Sequence, residues 1–232
     1  MDTKENPCKS SAKTPSARQF LDILPLDMSE EKKKKLATEI EEDYAENKIV
    51  TEDEKRFRGI LESVGREGTE ELLHYLKINK FFIAPGSVSH HSNWRGGLVN
   101  HSLKVYDCAM LLRKEMIQED PSVACELDED KIAVTALLHD ICKFDEFMLK
   151  RDGTPAHKES SIHLAGHGDK SVILILLHGF RLDLEEALAI RWHMGAKHIK
   201  DYKEKKECEK AKEDSALVRL IIRADHMAAT GK

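Results

Sequence analysis

The sequence predicts an all-α fold, and three observations support this. Charged residues make up 34% of the 232 positions and aromatic residues only 6%, with 12 Gly and 6 Pro, which is typical of a helix-rich protein rather than a β-sandwich or barrel. Several segments place apolar residues three and four positions apart, as one face of a helix requires. Two of these segments begin with a helix-capping signal. We therefore expect a helical bundle with a sizeable core.

The chain divides into three parts by composition. Residues 1–20 mix Lys, Ser, Pro and Asn without hydrophobic periodicity, and we expect them to be largely disordered. Residues 21–84 are predicted to form a helical lead-in, in which Thr51 and Glu54 make a capping box before an apolar stripe. Residues 85–232 are predicted to form the main domain.

Charge, hydropathy and cysteine content exclude several classes of protein. The net charge of −5 gives no global positive field for nonspecific binding to polyanions. The longest apolar run, "VILILL", is far shorter than the roughly 20 residues of a membrane-spanning helix. The five cysteines form no CxxC pair and are expected to be reduced. We predict a cytoplasmic protein without a membrane contact, and the sequence leaves its oligomeric state open.

Several polar side chains lie on helical faces that are otherwise apolar. His101 shares its face with Leu98 and Val105, so it is expected to point into the core. The pair His139 and Asp140 directly follows the apolar run "TALL". A single inward histidine is usually a hydrogen-bonded core residue. The pattern of polar residues on apolar helical faces becomes informative because it recurs along the chain.

The same feature is found twice more towards the C-terminus. His193 follows Ile190 within one helical turn, and Asp225 follows Ile221 by one turn. A buried ionised carboxylate costs several kcal/mol unless it is paired, and a divalent cation would supply the missing charge. Imidazole and carboxylate groups together suit Zn, Fe, Mn, Co or Ni. With His167 included, the successive polar positions lie 26 to 38 residues apart, which suggests separate helices converging on one centre.

The ordered series resembles the HD-domain superfamily of metal-dependent phosphohydrolases, whose pattern is H…HD…H…H…D. The matching segments are "VNHSL", "LLHDICK", "AGHGDK", "RWHMG" and "RADHM". The resemblance covers roughly residues 85–230, and it implies an HD-domain helical bundle with an N-terminal helical extension. It also implies a site for one or two divalent ions, with Fe, Mn, Zn, Ni, Co or Mg as candidates.

The resemblance implies a role for each matching residue. The expected metal ligands are His101, His139, Asp140, His167, His193 and Asp225. His167 and His193 would hold a second ion, with Asp140 bridging the two. Lys143, one turn after Asp140, would direct its charge at a substrate phosphate, and these two are the expected catalytic pair. Arg95 is expected either to bind a phosphate through its guanidinium or to form a surface salt bridge.

The expected function is hydrolysis of a phosphoester bond in a nucleotide or another small phosphorylated substrate by a metal-activated water. One alternative is a 3′→5′ exonuclease acting on single-stranded RNA or DNA, since the "HH…GGL…H" segment is similar to that of bacterial exoribonucleases. The negative net charge and the helical lead-in make nucleic acid the less favoured partner. A noncatalytic module that senses a nucleotide is the other alternative. The charged segment 197–214 is expected to be either a lid over the site or a plain exposed connection.

Overall fold

The described part of the chain is mostly helical, which confirms the all-α prediction. The computed structural model describes residues 51–89, 92–159, 161–162, 164 and 166–231. These residues belong to one compact unit. The predicted disordered head and the first part of the lead-in lie outside the described residues, so those predictions and the domain boundary near residue 85 stay predictions.

Nine α-helices are found in the described residues. They are α1 (Glu52–Ser63), α2 (Thr69–Ile78), α3 (Gly97–Glu119), α4 (Glu129–Leu138), α5 (Lys143–Glu146), α6 (His167–Leu177), α7 (Leu184–Trp192), α8 (Tyr202–Asp214) and α9 (Ala216–Thr230). Short 3-10 helices lie at Phe81–Ile83, Pro121–Cys125 and Ala196–His198. None of these described helices is both long and apolar enough to cross a bilayer.

A small antiparallel hairpin follows α5, and the sequence analysis did not predict it. Strands β1 (Phe147–Leu149) and β2 (Pro155–His157) pair with Met148 opposite Ala156. Each strand has three residues, which is too short for an alternating pattern to stand out.

Side-chain caps fix where several helices begin. Thr51 caps α1 by accepting a hydrogen bond from the Glu54 N–H at 3.1 Å, as expected. The Glu54 carboxylate accepts from Lys77 Nζ at 2.8 Å and so ties α1 to α2. A complete capping box starts α7, where Asp183 and Glu186 exchange hydrogen bonds of 2.8 Å.

Two hydrophobic clusters form the core, and α3, α4 and α7 contribute to both. The first cluster joins α1, α2 and α6 to one part of these helices, and Phe57, Leu73 and Phe81 are among its buried members. The second joins them to α9, with Leu217 and Ile221 fully buried. The three helices that end or begin near the expected ligands are therefore held firmly on two sides.

The start of α6 lies against the end of α7, and a glycine permits this contact. A Cβ atom on Gly168 would lie more than an ångström inside the 3.4 Å limit of ordinary contact with the Arg191 carbonyl oxygen. The absence of a side chain at this position therefore sets the distance between the backbone next to His167 and the end of α7, where His193 follows Trp192.

Candidate metal centre

Two histidines end their helices in the same way. His139 is the C-cap residue of α4, and its Nδ1 lies 2.8 Å from the Ala136 carbonyl oxygen. His193 is the C-cap residue of α7, and its Nδ1 lies 2.7 Å from the Ile190 carbonyl oxygen. A carbonyl can only accept, so each Nδ1 carries the proton and donates it. When such a ring is neutral, its Nε2 carries the lone pair that can bind a metal ion.

The imidazole Nε2 atoms converge on two carboxylates. His139 Nε2 lies 3.3 Å from Asp140 Oδ2, and His193 Nε2 lies 3.4 Å from Asp140 Oδ1. His101 Nε2 lies 3.1 Å from Asp225 Oδ1 and 3.7 Å from Asp140 Oδ2. His139 Nε2 is also 3.7 Å from Asp225 Oδ1. The structure thus brings five of the six expected ligands together from α3, α4, α7 and α9.

The side chains of this cluster are deeply buried, and several of their polar atoms would be satisfied by a cation. His139 is fully buried, and Asp140 and His193 are each 1% exposed. Among the described residues, neither Nε2 of these histidines nor Oδ1 of Asp140 has a hydrogen-bond partner. Buried polar atoms that face one another without hydrogen-bond partners are unfavourable. A divalent cation placed among them would satisfy all three atoms, so the residues present fit a metal ion.

Both carboxylates of the cluster stay ionised at neutral pH in the absence of a bound ion. Burial acts to raise the pKa of Asp140, but the charge of Lys143 and the contact with His139 outweigh it and hold that pKa well below its usual value. Burial likewise opposes ionisation of Asp225, but the hydrogen bond from His101 outweighs it and lowers the pKa to about 2. The site therefore offers two full negative charges to a cation.

Lys143 contacts the centre directly. Its Nζ lies 2.5 Å from Asp140 Oδ2. Burial acts to lower the pKa of Lys143, but Asp140 outweighs it and the pKa is raised, so the ammonium stays charged. Lys143 also lines the open cleft described below. One Asp140 oxygen is therefore already paired with the Lys143 ammonium group, which also faces the cleft.

His167 lies in a second group of possible ligands next to the first. It is the first residue of α6, and its Nδ1 lies 3.5 Å from Glu146 Oε1 and 3.9 Å from Cys142 Sγ. The hydrogen bond with Glu146 raises the pKa of His167 in spite of partial burial. Burial raises the pKa of the Cys142 thiol, which keeps it protonated and makes it a poor ligand. Glu146 is the oxygen donor that this group adds.

The sequence analysis missed Glu146 and the lysine that holds it. Lys170 on α6 is 1% exposed, and its Nζ lies 2.7 Å from Asp145 Oδ2 and 3.5 Å from Glu146 Oε1. The sequence did contain a signal that Lys170 faces the core, because it lies four positions before Leu174 on one face of α6. Both residues are buried. A buried lysine requires an acidic partner, and "FDEF" offers two.

A cleft of about 810 Å³ opens from the centre. His101, His193 and Asp225 of the centre are among the residues that line it. The charged segment 197–214 begins inside the Ala196–His198 turn and includes α8. It forms one wall of the cleft through Lys197, Lys205, Glu209 and Lys212. Movement of this wall as a lid stays a prediction.

Arg95 and some expected neighbours lie elsewhere. Arg95 is exposed in the turn before α3, and it is not one of the described residues that line this cleft. Its predicted contact with a phosphate stays a prediction. His90 and His91, on which part of the resemblance rests, lie outside the described residues.

Comparisons with known proteins agree with this geometry. The model of the HD domain family matches residues 98–230, which is more than half of the chain. The chain therefore belongs to the HD domain family, as the resemblance predicted. It is also similar to the dihydroneopterin 2′,3′-cyclic phosphate phosphodiesterase of Methanocaldococcus jannaschii, with 36% identity over 74 residues. That match covers 32% of this chain and 28% of the relative, and no solved structure matches the chain.

Proposed function

We propose that the protein is a metal-dependent phosphohydrolase that cleaves a phosphoester bond in a nucleotide or another small phosphorylated substrate. The observation that carries this proposal is the convergence of three buried Nε2 atoms on the carboxylates of Asp140 and Asp225. Membership of the HD domain family supports it. The relative named as a phosphodiesterase supports a phosphoester as the bond that is cleaved.

Each residue of the cluster has a distinct part in this proposal. His101, His139, Asp140 and Asp225 would hold a first divalent ion, and His167 and His193 would hold a second with Asp140 shared. Such ions lower the pKa of water towards neutrality and stabilise charge on phosphoryl oxygens. The backbone bonds at Nδ1 of His139 and His193 keep their Nε2 lone pairs directed at the ligand site.

Lys143 has a second task in the same proposal. When a divalent ion takes over the charge of Asp140, the Lys143 ammonium is no longer needed to balance that carboxylate. Its position in the lining of the cleft lets it contact a substrate phosphate. Glu146, at 3.5 Å from His167 Nδ1, would orient that imidazole in the way that carboxylates commonly orient metal-bound histidines.

The proposal is tested by metal analysis combined with phosphoester assays. The purified protein should contain or take up one or two equivalents of a divalent ion. It should hydrolyse bis-p-nitrophenyl phosphate, nucleoside monophosphates or 2′,3′-cyclic nucleotides, the last because of the name of the relative. Asp140→Ala should lower kcat/KM by at least about 100-fold, because losing even a residue that only supports a metal ligand costs about 10- to 100-fold.

A matched variant separates this effect from a general loss of acid groups. Asp130 is exposed in the first turn of α4, the helix that ends at His139. Asp130→Ala should keep wild-type hydrolysis. A protein that binds no divalent ion, or an Asp140→Ala variant as active as the wild type, would disprove the proposal. Metal retention without hydrolysis of any ester would favour the noncatalytic sensing module.

A phosphodiesterase acting on single-stranded nucleic acid is the second candidate. The lysine-lined wall of the cleft favours it, because a nuclease needs a positively charged path to its active site. Oligonucleotides of increasing length test it, since a nuclease of this type should show a lower KM as the strand grows.

A further inference from the structure

The cleft-lining side of the wall formed by α8 and the preceding turn carries more positively than negatively charged side chains. Lys197, Lys205 and Lys212 line the cleft there, and Glu209 is the acidic residue of that wall. Arg223 on α9 adds a further positive charge to the lining. The whole chain has a net charge of −5, so this local excess runs against the composition.

Two of these lysines have no acidic partner among the residues that the structure describes. Lys212 lies 3.4 Å from Glu209 Oε2. The described residues place no carboxylate within ion-pair distance of Lys197 or Lys205. Like charges on one surface repel, and an anionic ligand would relieve that repulsion.

The spacing of the lysines suggests that they contact a second anionic group of a ligand, separate from the phosphate at the metal centre. Lys205 and Lys212 are seven residues apart on one face of α8, which spreads their charge over about 10 Å along the helix. The lining of the cleft also includes Leu112, Ile222 and Met227, which are apolar. A ligand that fills this space has an anionic end at the centre, an apolar body and a second anionic group at the wall.

We propose that the cleft binds a small ligand with two phosphate groups, one at the metal centre and the other at the wall formed by Lys197, Lys205 and Lys212. This inference rests on the proposed function, since it assigns the first phosphate to the hydrolytic centre. A small ligand is favoured over a polymer because the cleft volume of about 810 Å³ lies within the range of roughly 300–1,000 Å³ for small-molecule sites.

The test uses ligands whose phosphorus is bonded to carbon and cannot be hydrolysed. Isothermal titration calorimetry with Mn²⁺ present compares alkylphosphonates with alkane-α,ω-bisphosphonates of the same chain length, from propane to octane. The best bisphosphonate should bind the wild type about tenfold more tightly, which corresponds to about 1.4 kcal/mol and is the scale of one charge-assisted contact. Added salt should reduce this preference.

Two triple variants that remove the same amount of charge from this part of the chain make the test specific. The wall variant combines Lys197→Gln, Lys205→Gln and Lys212→Gln. The control variant combines Lys203→Gln, Lys206→Gln and Lys210→Gln, which removes the same charge from exposed positions of α8 that do not line the described cleft. The tenfold preference should fall below about threefold in the wall variant and persist in the control.

The outcomes separate this inference from the proposed hydrolysis. A preference that is absent from the wild type, or equal in both variants, would overturn the second phosphate site even if bis-p-nitrophenyl phosphate is hydrolysed. If the wall variant loses the preference and the control variant keeps it, the second phosphate site is supported even if no ester is hydrolysed. Thymidine oligonucleotides whose affinity rises with every added nucleotide would also overturn it, because the wall would then be a nucleic-acid path.

Discussion

The close approach of α6 to α7 gives a prediction that links packing to the metal centre. In Gly168→Ala the new methyl group would lie more than an ångström inside ordinary contact with the Arg191 carbonyl oxygen. A backbone oxygen cannot rotate away as a side chain can, so the two helices have to separate. Overpacking of this kind costs about 1–3 kcal/mol.

The displacement is large on the scale of metal coordination. His167 precedes Gly168 directly, and His193 follows the last residue of α7. Metal–ligand distances are held within about 0.2 Å. Relieving the steric clash at Gly168 requires the backbone to move by several times that amount. Gly168→Ala should therefore lose the second equivalent of metal, or bind it at least about tenfold more weakly, because both of its expected ligands move.

Thermal unfolding and metal titration measure the two effects separately. For a domain of this size a loss of 1–3 kcal/mol lowers Tm by roughly 2–12 °C. Gly59→Ala is the matched control, because Gly59 lies inside α1 with no atom within 4 Å of the new methyl group. That variant should gain up to about 1 kcal/mol from helix propensity. A Gly168→Ala protein that is as stable as the wild type and binds the same amount of metal would refute the reasoning.

Three further predictions concern the groups around the centre. Glu146→Gln should lower the pKa of His167, because the carboxylate that raises it is lost; NMR titration of the metal-free protein measures this, and Glu159→Gln, at an exposed position, should leave it unchanged. Lys170→Met should cost about 3 kcal/mol in chemical unfolding, because it leaves Asp145 and Glu146 without their buried partner; a variant within 0.5 kcal/mol of wild type by that measurement would contradict it. Asp183→Ala should cost about 1 kcal/mol at pH 7 through the lost helix cap. Burial opposes ionisation of Asp183, but hydrogen bonds from the Glu186 N–H and Lys131 outweigh it and lower its pKa from 3.8, so this stabilisation exists above pH 3.8 and is lost as the pH falls through the lower folded value; a cost that stays constant down to pH 2 would argue against it.

Much of the centre could be predicted because helical periodicity carries directional information. His101, His193 and Asp225 each follow apolar residues at intervals of three or four positions, which fixes the side they face. Periodicity does not say which buried faces meet, and the resemblance to the HD-domain superfamily supplied that step. The helical fold and the family were predicted correctly in this way.

The parts that were missed depend on contacts between segments that are distant in sequence. The group of Glu146 and Lys170 forms across 24 residues and a hairpin. The hairpin strands are too short for periodicity, although Asp152 and Gly153 between them are typical turn residues. The sequence analysis left two roles open for segment 197–214, a lid or a plain connection, because its charge pattern fits any solvated helix. The rest of the cleft that it lines is built from elements distant in sequence.

The backbone bonds at His139 and His193 also affect how an ion would enter. Each ring already has its tautomer and its direction fixed by a carbonyl of its own helix. Capture of a cation would then require little loss of conformational entropy, and the electrostatic cost of crowding lone pairs in the empty pocket would be released on loading. Folding and ion uptake would in that case be thermodynamically linked, with the loaded protein the more resistant to unfolding.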